Sequence, residues 1–436
     1  MRIPFAMLAI SLAACSGEAT QEAADVGIKH DKGVDVENQV IKIGALDDMS
    51  GPAAAIGRHF ASGKRLLAAR INAGNSGLLP EGWTVELIER DHGYNPQQSV
   101  QYYDQISNDV LFIGTSFGTP NTLPLQPKLE EDGLIAFPAS LSSKMAEHPN
   151  TPPLAASYMT EAKRAADFIV EKAEGAANAK LGIVYQQDDY GKDGLMGLQA
   201  AAKAYGAEIV SEQTVSPGQS DMTAVITSLK EAGATHVVLA VLPSSAGPVL
   251  GTAAKLEYTP MWVGLTPAWI DAFFTEQSPL PSAVFANYYQ ANSLPYWGED
   301  LPGMSDFVAT WNAHGGQEKM GKDFYILLSY IQGLAQVEAA KKAIENEDIT
   351  REGYKKALTS MKSFDAGGMI RPIDLSTQPY NVTEEVRILK PDFEAGTWTV
   401  AMDYAVPGAP PEEMPGEPAA DDEANAMHPP GEDAGE

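Results

Sequence analysis

Gly114-Thr115-Ser116-Phe117-Gly118 carries the G-x-S-x-G spacing that sets a serine nucleophile on a sharp turn between a strand and a helix. Such a serine also needs a histidine base placed late in the fold. His236 and His314 lie in strand-like and helix-like surroundings, and His428 lies in an acidic, proline-rich tail. An esterase using Ser116 therefore stays an alternative without its partners. Thr119-Pro120, just beyond, suits the cap and first position of a helix. The N–H groups of Asn121 and Thr122 would then point into a crevice, where a carboxylate could rest on the positive end of the helix. Gly316 to Lys322 imitates a phosphate loop, but Asp323 follows where Ser or Thr must hold magnesium. The histidines lack paired spacing, so no metal site, cofactor or catalytic residue is expected.

The single cysteine, Cys15, follows Leu12-Ala13-Ala14 at the end of a short apolar run that begins after Arg2. That order describes a secretory signal over 1–14, cut before a thiol that takes lipid. The run is about half of the ~20 residues that span a bilayer. Residues 15–39, polar and without apolar period, read as a lipidated flexible tether. From 405 to 436 the chain is Pro, Gly, Ala and acid, a composition that cannot bury a core and reads as a disordered tail. The formal charge of −28 over 436 residues excludes nucleic acid and adhesion to anionic lipid headgroups as roles.

Between tether and tail, two hydrophobic periods alternate. Short β-rich runs (Val40–Gly44, Val85–Ile88, Val110–Gly114, Leu134–Phe137, then Leu181–Tyr185, Ala207–Val215, His236–Val241 and Met261–Gly264) are separated by helical stretches. Strands buried on both sides and joined by helices mean parallel sheets of βαβ units. Two such series, split near Tyr158, predict an α/β protein of two doubly wound lobes. The stretch from Tyr288 to Lys362 is mostly helical and should rejoin one lobe, while Val386–Leu389 and Thr397–Val400 read as strands returning to the second. Ligands of such sheets sit at the carboxyl ends of strands.

The turn Met49-Ser50-Gly51-Pro52 with Gly57, then Arg90-Asp91, Asn95-Pro96, Ile113-Gly114, Asp189-Tyr190-Gly191 and Asp221-Met222, resembles the solute-binding proteins of ABC importers of the branched-chain amino acid type. The resemblance implies the type I periplasmic-binding fold: two Rossmann-like lobes, 40–157 with 287–362 and 158–284 with 365–404, joined by a three-strand hinge and closing on a ligand. Its pocket positions fall on Ile56, on Phe117, Gly118 and Thr119, on Ala139, Ser140 and Leu141, and in the second lobe on Tyr190, Leu242 and Thr266, with Trp269 near the rim. The family's acceptor for an α-ammonium falls near Thr266, and an acid often found early in the second lobe falls at Thr160, beside Glu161.

Losing an ammonium acceptor while gaining Ile, Leu and Phe shifts the expected ligand toward an apolar or aromatic body, with or without one carboxylate held by Thr119. An amino acid, as in the family, and a neutral apolar molecule stay open. The expected partners are a small-molecule solute, an ABC permease in the cytoplasmic membrane, and the membrane itself through lipid on Cys15. The protein is expected to be an extracytoplasmic monomer of the cell envelope or periplasm. A sensor subunit using the same clamshell is the other alternative.

Overall fold

The computed structural model describes residues 27–74, 76–276, 278–315 and 321–408. The first sheet has five strands. Val40–Asp47 lies between Thr84–Asp91 and Phe112–Phe117, all parallel, with Ala136–Ala139 beyond and Val34–Asp35 antiparallel at one end. The second sheet has seven. His236–Ala240 runs parallel between Lys180–Gln186 and Met261–Gly264, with Glu208–Val215 at one edge. Tyr288–Asn292 follows Met261–Gly264 in parallel, and the antiparallel hairpin Val386–Asp392/Thr397–Ala405 completes the other edge.

Successive residues of the central strands feed opposite faces, as the two-residue period requires. Ile43 packs with Phe112 and Ile331, while Leu46 packs with Tyr103 and Leu129. In the second sheet Ile183 and Val238 join the core that continues to the first lobe, and Val184 and Val237 join the core on the far side. Alternating βα units of this kind are what the hydrophobic periods demanded, and their arrangement in two lobes is the one that the resemblance implied.

Four boundaries differ from the sequence reading. Residues 365–382, expected with 365–404 in the second lobe, are tied to the first: Leu375 N donates to Met361 O at 2.8 Å and Tyr380 N to Ala146 O at 2.9 Å. Tyr288–Asn292 pairs with Met261–Gly264 inside the second sheet, so these residues belong with the second lobe rather than with 287–362 of the first. Only Tyr288 and Tyr289 are obvious β-formers there; pairing on both edges, with Val386–Asp392 on the other side, decides the strand. Residues 29–35, expected within the tether 15–39, form edges of the first lobe: Lys29–His30 pairs with Asp348–Ile349, and Val34–Asp35 with Val40–Ile41. Backbone hydrogen bonds hold them, and hydropathy does not register those. Residues 405–408, expected in the tail, are also placed: Gly408 N donates to Asp167 Oδ2 at 3.0 Å. Cys15, its signal and 409–436 lie outside the described residues.

The chain passes between the lobes three times. It crosses before Tyr158–Lys172, after Tyr288–Asn292, and before Val386–Asp392, the preceding stretch being tied to the first lobe by Tyr380 N to Ala146 O at 2.9 Å. The first two crossings touch where Ala156 N donates to Ser293 Oγ at 3.2 Å. In the first lobe, helix Ala54–Asn72 starts against the turn after its strand. Asp48 accepts from Gly51 N and Ala53 N at 2.6 and 2.8 Å, and Gly57 lets the helix touch that turn. A Cβ at Gly57 would lie 1.8 Å from the Asp48 carbonyl oxygen. Gly57→Ala must push helix and turn apart, and overpacking of this kind costs about 1–3 kcal/mol. A lower unfolding midpoint in a denaturant titration is expected; an unchanged midpoint would contradict the contact.

Candidate functional site

The carboxyl ends of the two sheets face each other, and the space between them is a cavity of about 660 Å³, counted as all space between atoms with its mouth included. Ten of the sequence-expected positions line it: Ile56, Phe117, Gly118, Thr119, Ala139, Ser140, Leu141, Tyr190, Leu242 and Thr266. Among the described residues that line it, none is Asp, Glu, Lys, Arg or His.

Trp269 is the exception and corrects the expectation. It is 3% exposed in the second lobe's core, its ring 4.6 Å from Trp398 and 5.4 Å from Tyr288. Its indole N–H donates to Asp271 Oδ1 at 3.1 Å. Position near the rim in sequence did not make it a wall, because the short turn Thr266–Ala268 rotates it away from the cavity.

The polar groups are hydroxyls and amides. Thr119 Oγ1 and Ser140 Oγ are 2.7 Å apart, each on the loop after its strand. Thr119 is not the cap. Gly118, at φ +88°, takes that position, and Thr119–Thr122 runs on through the turn Leu123–Leu125 into helix Gln126–Asp132. The Asn121 and Thr122 N–H groups, expected to face a ligand, donate to Gly118 O at 3.2 and 3.0 Å. The reason is local: the cap residue of a helix presents its carbonyl to the N–H groups three and four residues on. Ser116 stays within strand Phe112–Phe117, fully buried, its hydroxyl 2.8 Å from Thr122 Oγ1. It is not raised on an elbow, and it does not line the cavity.

On the second-lobe wall, Tyr190 donates to Val241 O at 3.2 Å, and its ring stands edge-on to Tyr158 with centroids 4.6 Å apart. Behind Thr266 lies Glu161, fully buried; Thr266 N donates to its Oε2 at 2.9 Å, and the Thr266 hydroxyl donates to Oε1. Burial pushes the Glu161 carboxyl up to about 8, against the pull of those two bonds. It is therefore largely neutral at neutral pH. Thr160, the other position considered for the acid, is not a lining residue.

Phe60, Tyr94, Tyr158, Tyr325, Leu328 and Gln332 also line the cavity and were not expected. Phe60 follows Ile56 by one helical turn and restores an aromatic ring to that wall. Tyr325, Leu328 and Gln332 lie at i, i+3 and i+7 of helix Phe324–Glu345, one stripe of one face. A glutamine recurring in an otherwise apolar helical stripe was the available signal.

A polar rim joins the lobes around this cavity. Ser244 Oγ donates to Pro52 O at 2.9 Å, Ser143 N to Asp193 Oδ2 at 3.1 Å, and Tyr325 OH to Thr266 O at 2.8 Å. Asp271 of the second lobe and Asp323 of the first clasp each other's backbone: Asp271 N donates to Asp323 Oδ2 at 3.0 Å, and Phe324 N to Asp271 Oδ2 at 2.8 Å. Burial raises both carboxyls above the usual carboxylate range, and the negative Asp323 raises Asp271 further. His59 Nδ1 is 4.0 Å from Asp323, but its near contact is Ala55 O at 2.7 Å, and burial lowers its own pKa.

Residues 40–395 match the periplasmic binding protein family. The Leu/Ile/Val-binding protein homolog 3 of Brucella melitensis is 27% identical over 203 residues, 45% of this chain and 53% of that protein, so the match spans about half the relative's length. An amino acid binding protein of Pseudomonas aeruginosa is 23% identical over 339 residues, 76% of this chain and 82% of its own. Among solved structures, a fatty acid ABC transporter substrate-binding protein from Thermomonospora curvata is similar with a TM-score of 0.80 at 24% identity, covering 88% of this chain and 96% of that one. A branched-chain amino acid ABC transporter protein from Thermus thermophilus with bound valine has a TM-score of 0.71 at 20% identity, covering 85% and 97%. At these identities the structural likenesses carry the fold.

The Asp271–Asp323 clasp gives closure a pH dependence. Opening returns both carboxyls to water and to lower pKa values, so closure takes up protons and acid favours the closed form. Ligand affinity is expected to rise as pH falls from about 8 to about 6, by less than tenfold per unit for one proton. Asp271→Asn should flatten that slope, while Glu161→Gln, which alters a carboxyl held within the second lobe, should leave most of it. Calorimetric titration across pH reads this; a slope unchanged in Asp271→Asn would contradict it.

Proposed function

The chain belongs to the periplasmic binding protein family, and from that premise we propose that it is an extracytoplasmic solute-binding protein of an ABC importer, closing its lobes on a small acid with an apolar or aromatic body. The observation that carries this reading is the cavity itself: rings and aliphatic side chains on every wall, a hydroxyl pair at Thr119 and Ser140, and no charged side chain among the described lining residues. An aromatic body burying roughly 200 Å² contributes about 5 kcal/mol at about 25 cal/mol per Å². An α-ammonium in the same place has no carboxylate at hand, because Glu161 is neutralised and occupied by Thr266. A buried charge without its partner costs about 3–5 kcal/mol; a carboxylate faces the same cost, offset in part by hydrogen bonds from the Thr119 and Ser140 hydroxyls.

The Thermomonospora curvata neighbour is named for a fatty acid and the Thermus thermophilus neighbour holds valine. The cavity's chemistry favours the first kind of ligand. A branched-chain amino acid is the second reading, and Glu161 is the observation in its favour: it is a carboxyl directly behind the wall and could serve an ammonium by releasing Thr266. Cys15 would carry the lipid that tethers the protein to a membrane, in contact with a permease; acyl labelling that persists in Cys15→Ser would refute this anchor.

The test is a thermal-shift and calorimetric screen of apolar carboxylic acids, aromatic acids, leucine and valine on a chain beginning at Gly27. A true ligand raises the melting point by mass action. Octanoate or 3-phenylpropanoate is expected to bind, and Thr119→Val to weaken that binding by about tenfold to a hundredfold, the range for a hydrogen bond to a charged group. Tight binding of leucine or valine with no response to the acids would overturn the assignment.

A further inference from the structure

Gln332 is 4% exposed, lines the cavity, and is held at one end only. Its amide nitrogen donates to Pro138 O at 2.9 Å, which fixes that nitrogen toward the strand and leaves Oε1 as the other end. Oε1 has no hydrogen-bond partner among the described residues. Tyr325 and Leu328, on the same helical stripe, line the cavity with it, so the stripe as a whole is turned toward the ligand space. An acceptor in this position is costly to leave unmade, because closure removes it from water. The carbonyl that holds it belongs to Pro138, two residues before Ser140, so the acceptor is anchored to the strand end that carries one hydroxyl of the pair.

We propose that Gln332 is a specificity-determining residue whose Oε1 accepts a hydrogen bond from the solute, and that the solute therefore carries a donor, a hydroxyl or amide N–H, in addition to its apolar body. This rests on the cavity being the ligand site and sharpens the class from an apolar acid to a hydroxylated or amide-bearing one. A site with a buried acceptor discriminates strongly against an analogue that lacks the donor, since binding that analogue seals the acceptor without a partner.

The experiment compares matched pairs by calorimetric titration: octanoate with 2-hydroxyoctanoate and 3-hydroxyoctanoate, 3-phenylpropanoate with 3-phenyllactate, and ethylbenzene with 2-phenylethanol. In the wild type at least one hydroxylated member should bind tenfold or more tighter than its parent. In Gln332→Met, which keeps the volume and removes the acceptor, that ratio should fall to near one while the parent still binds. A merely structural glutamine would weaken both members alike and leave the ratio intact, which would overturn the proposal. So would a wild type that binds both members of every pair equally. Failure of all acids would defeat the acid reading alone, because the ethylbenzene pair still reads Gln332 without a carboxylate.

Discussion

A polar seal around an apolar cavity is the constraint on which the rest of this molecule depends. Ser244 with Pro52, Ser143 with Asp193, Tyr325 with Thr266, and the mutual clasp of Asp271 and Asp323 all join one lobe to the other. Tyr94 adds another link, its hydroxyl accepting from Gln186 Nε2 at 3.2 Å and lying 3.5 Å from Asp188 Oδ2. Each such bond nets only about 0.5–1.5 kcal/mol, because opening would replace it with water. Against that gain stand the carboxyls of Asp188, Asp193, Asp271 and Asp323, all raised above the ordinary carboxylate range chiefly by burial in the closed form. Bond gain and carboxyl burial therefore oppose each other at the seal. The apolar contact made by a guest is then enough to decide the population.

The fold serves that balance by keeping the walls rigid and placing movement at the crossings. Each wall is mounted on strand ends: Phe117 to Thr119 after one strand, Ala139 to Leu141 after the next, and Leu242 and Thr266 after two strands of the second sheet. Close backbone contact of helix Ala54–Asn72 with the Asp48 turn sets Ile56 and, one turn on, Phe60. Helix Phe324–Glu345, capped by Asp323 through Tyr325 N at 2.9 Å, carries both the clasp and the Tyr325–Leu328–Gln332 stripe. One capping carboxylate thus ties the position of the first-lobe wall to the state of the lobe interface.

Much of this was legible in the chain. The βα alternation fixed two parallel sheets, and the motif positions brought ten cavity residues together because strand-end loops of such sheets must converge. What escaped has physical causes. Tyr288–Asn292 is decided by neighbours on both edges, not by its own pattern, and residues 29–35 are held by backbone pairing that no hydropathy records. Trp269 was drawn to the rim by position and is drawn inward by six other aromatic rings, Phe273, Phe274, Phe285, Tyr288, Phe393 and Trp398. Glu161 and Gln332 are polar residues in helices whose partners, Thr266 and Pro138, lie far away in sequence; helical spacing flags Gln332 as polar in an apolar stripe but cannot name what it meets.

The central claim is that the lobes close over an apolar guest and would part without it. Small-angle X-ray scattering of the chain beginning at Gly27, with and without saturating octanoate or 3-phenylpropanoate, tests it most directly. The expected result is a smaller radius of gyration and a shorter maximum dimension with the acid, and no such change with leucine. A scattering curve that stays the same while calorimetry shows the acid bound would contradict it.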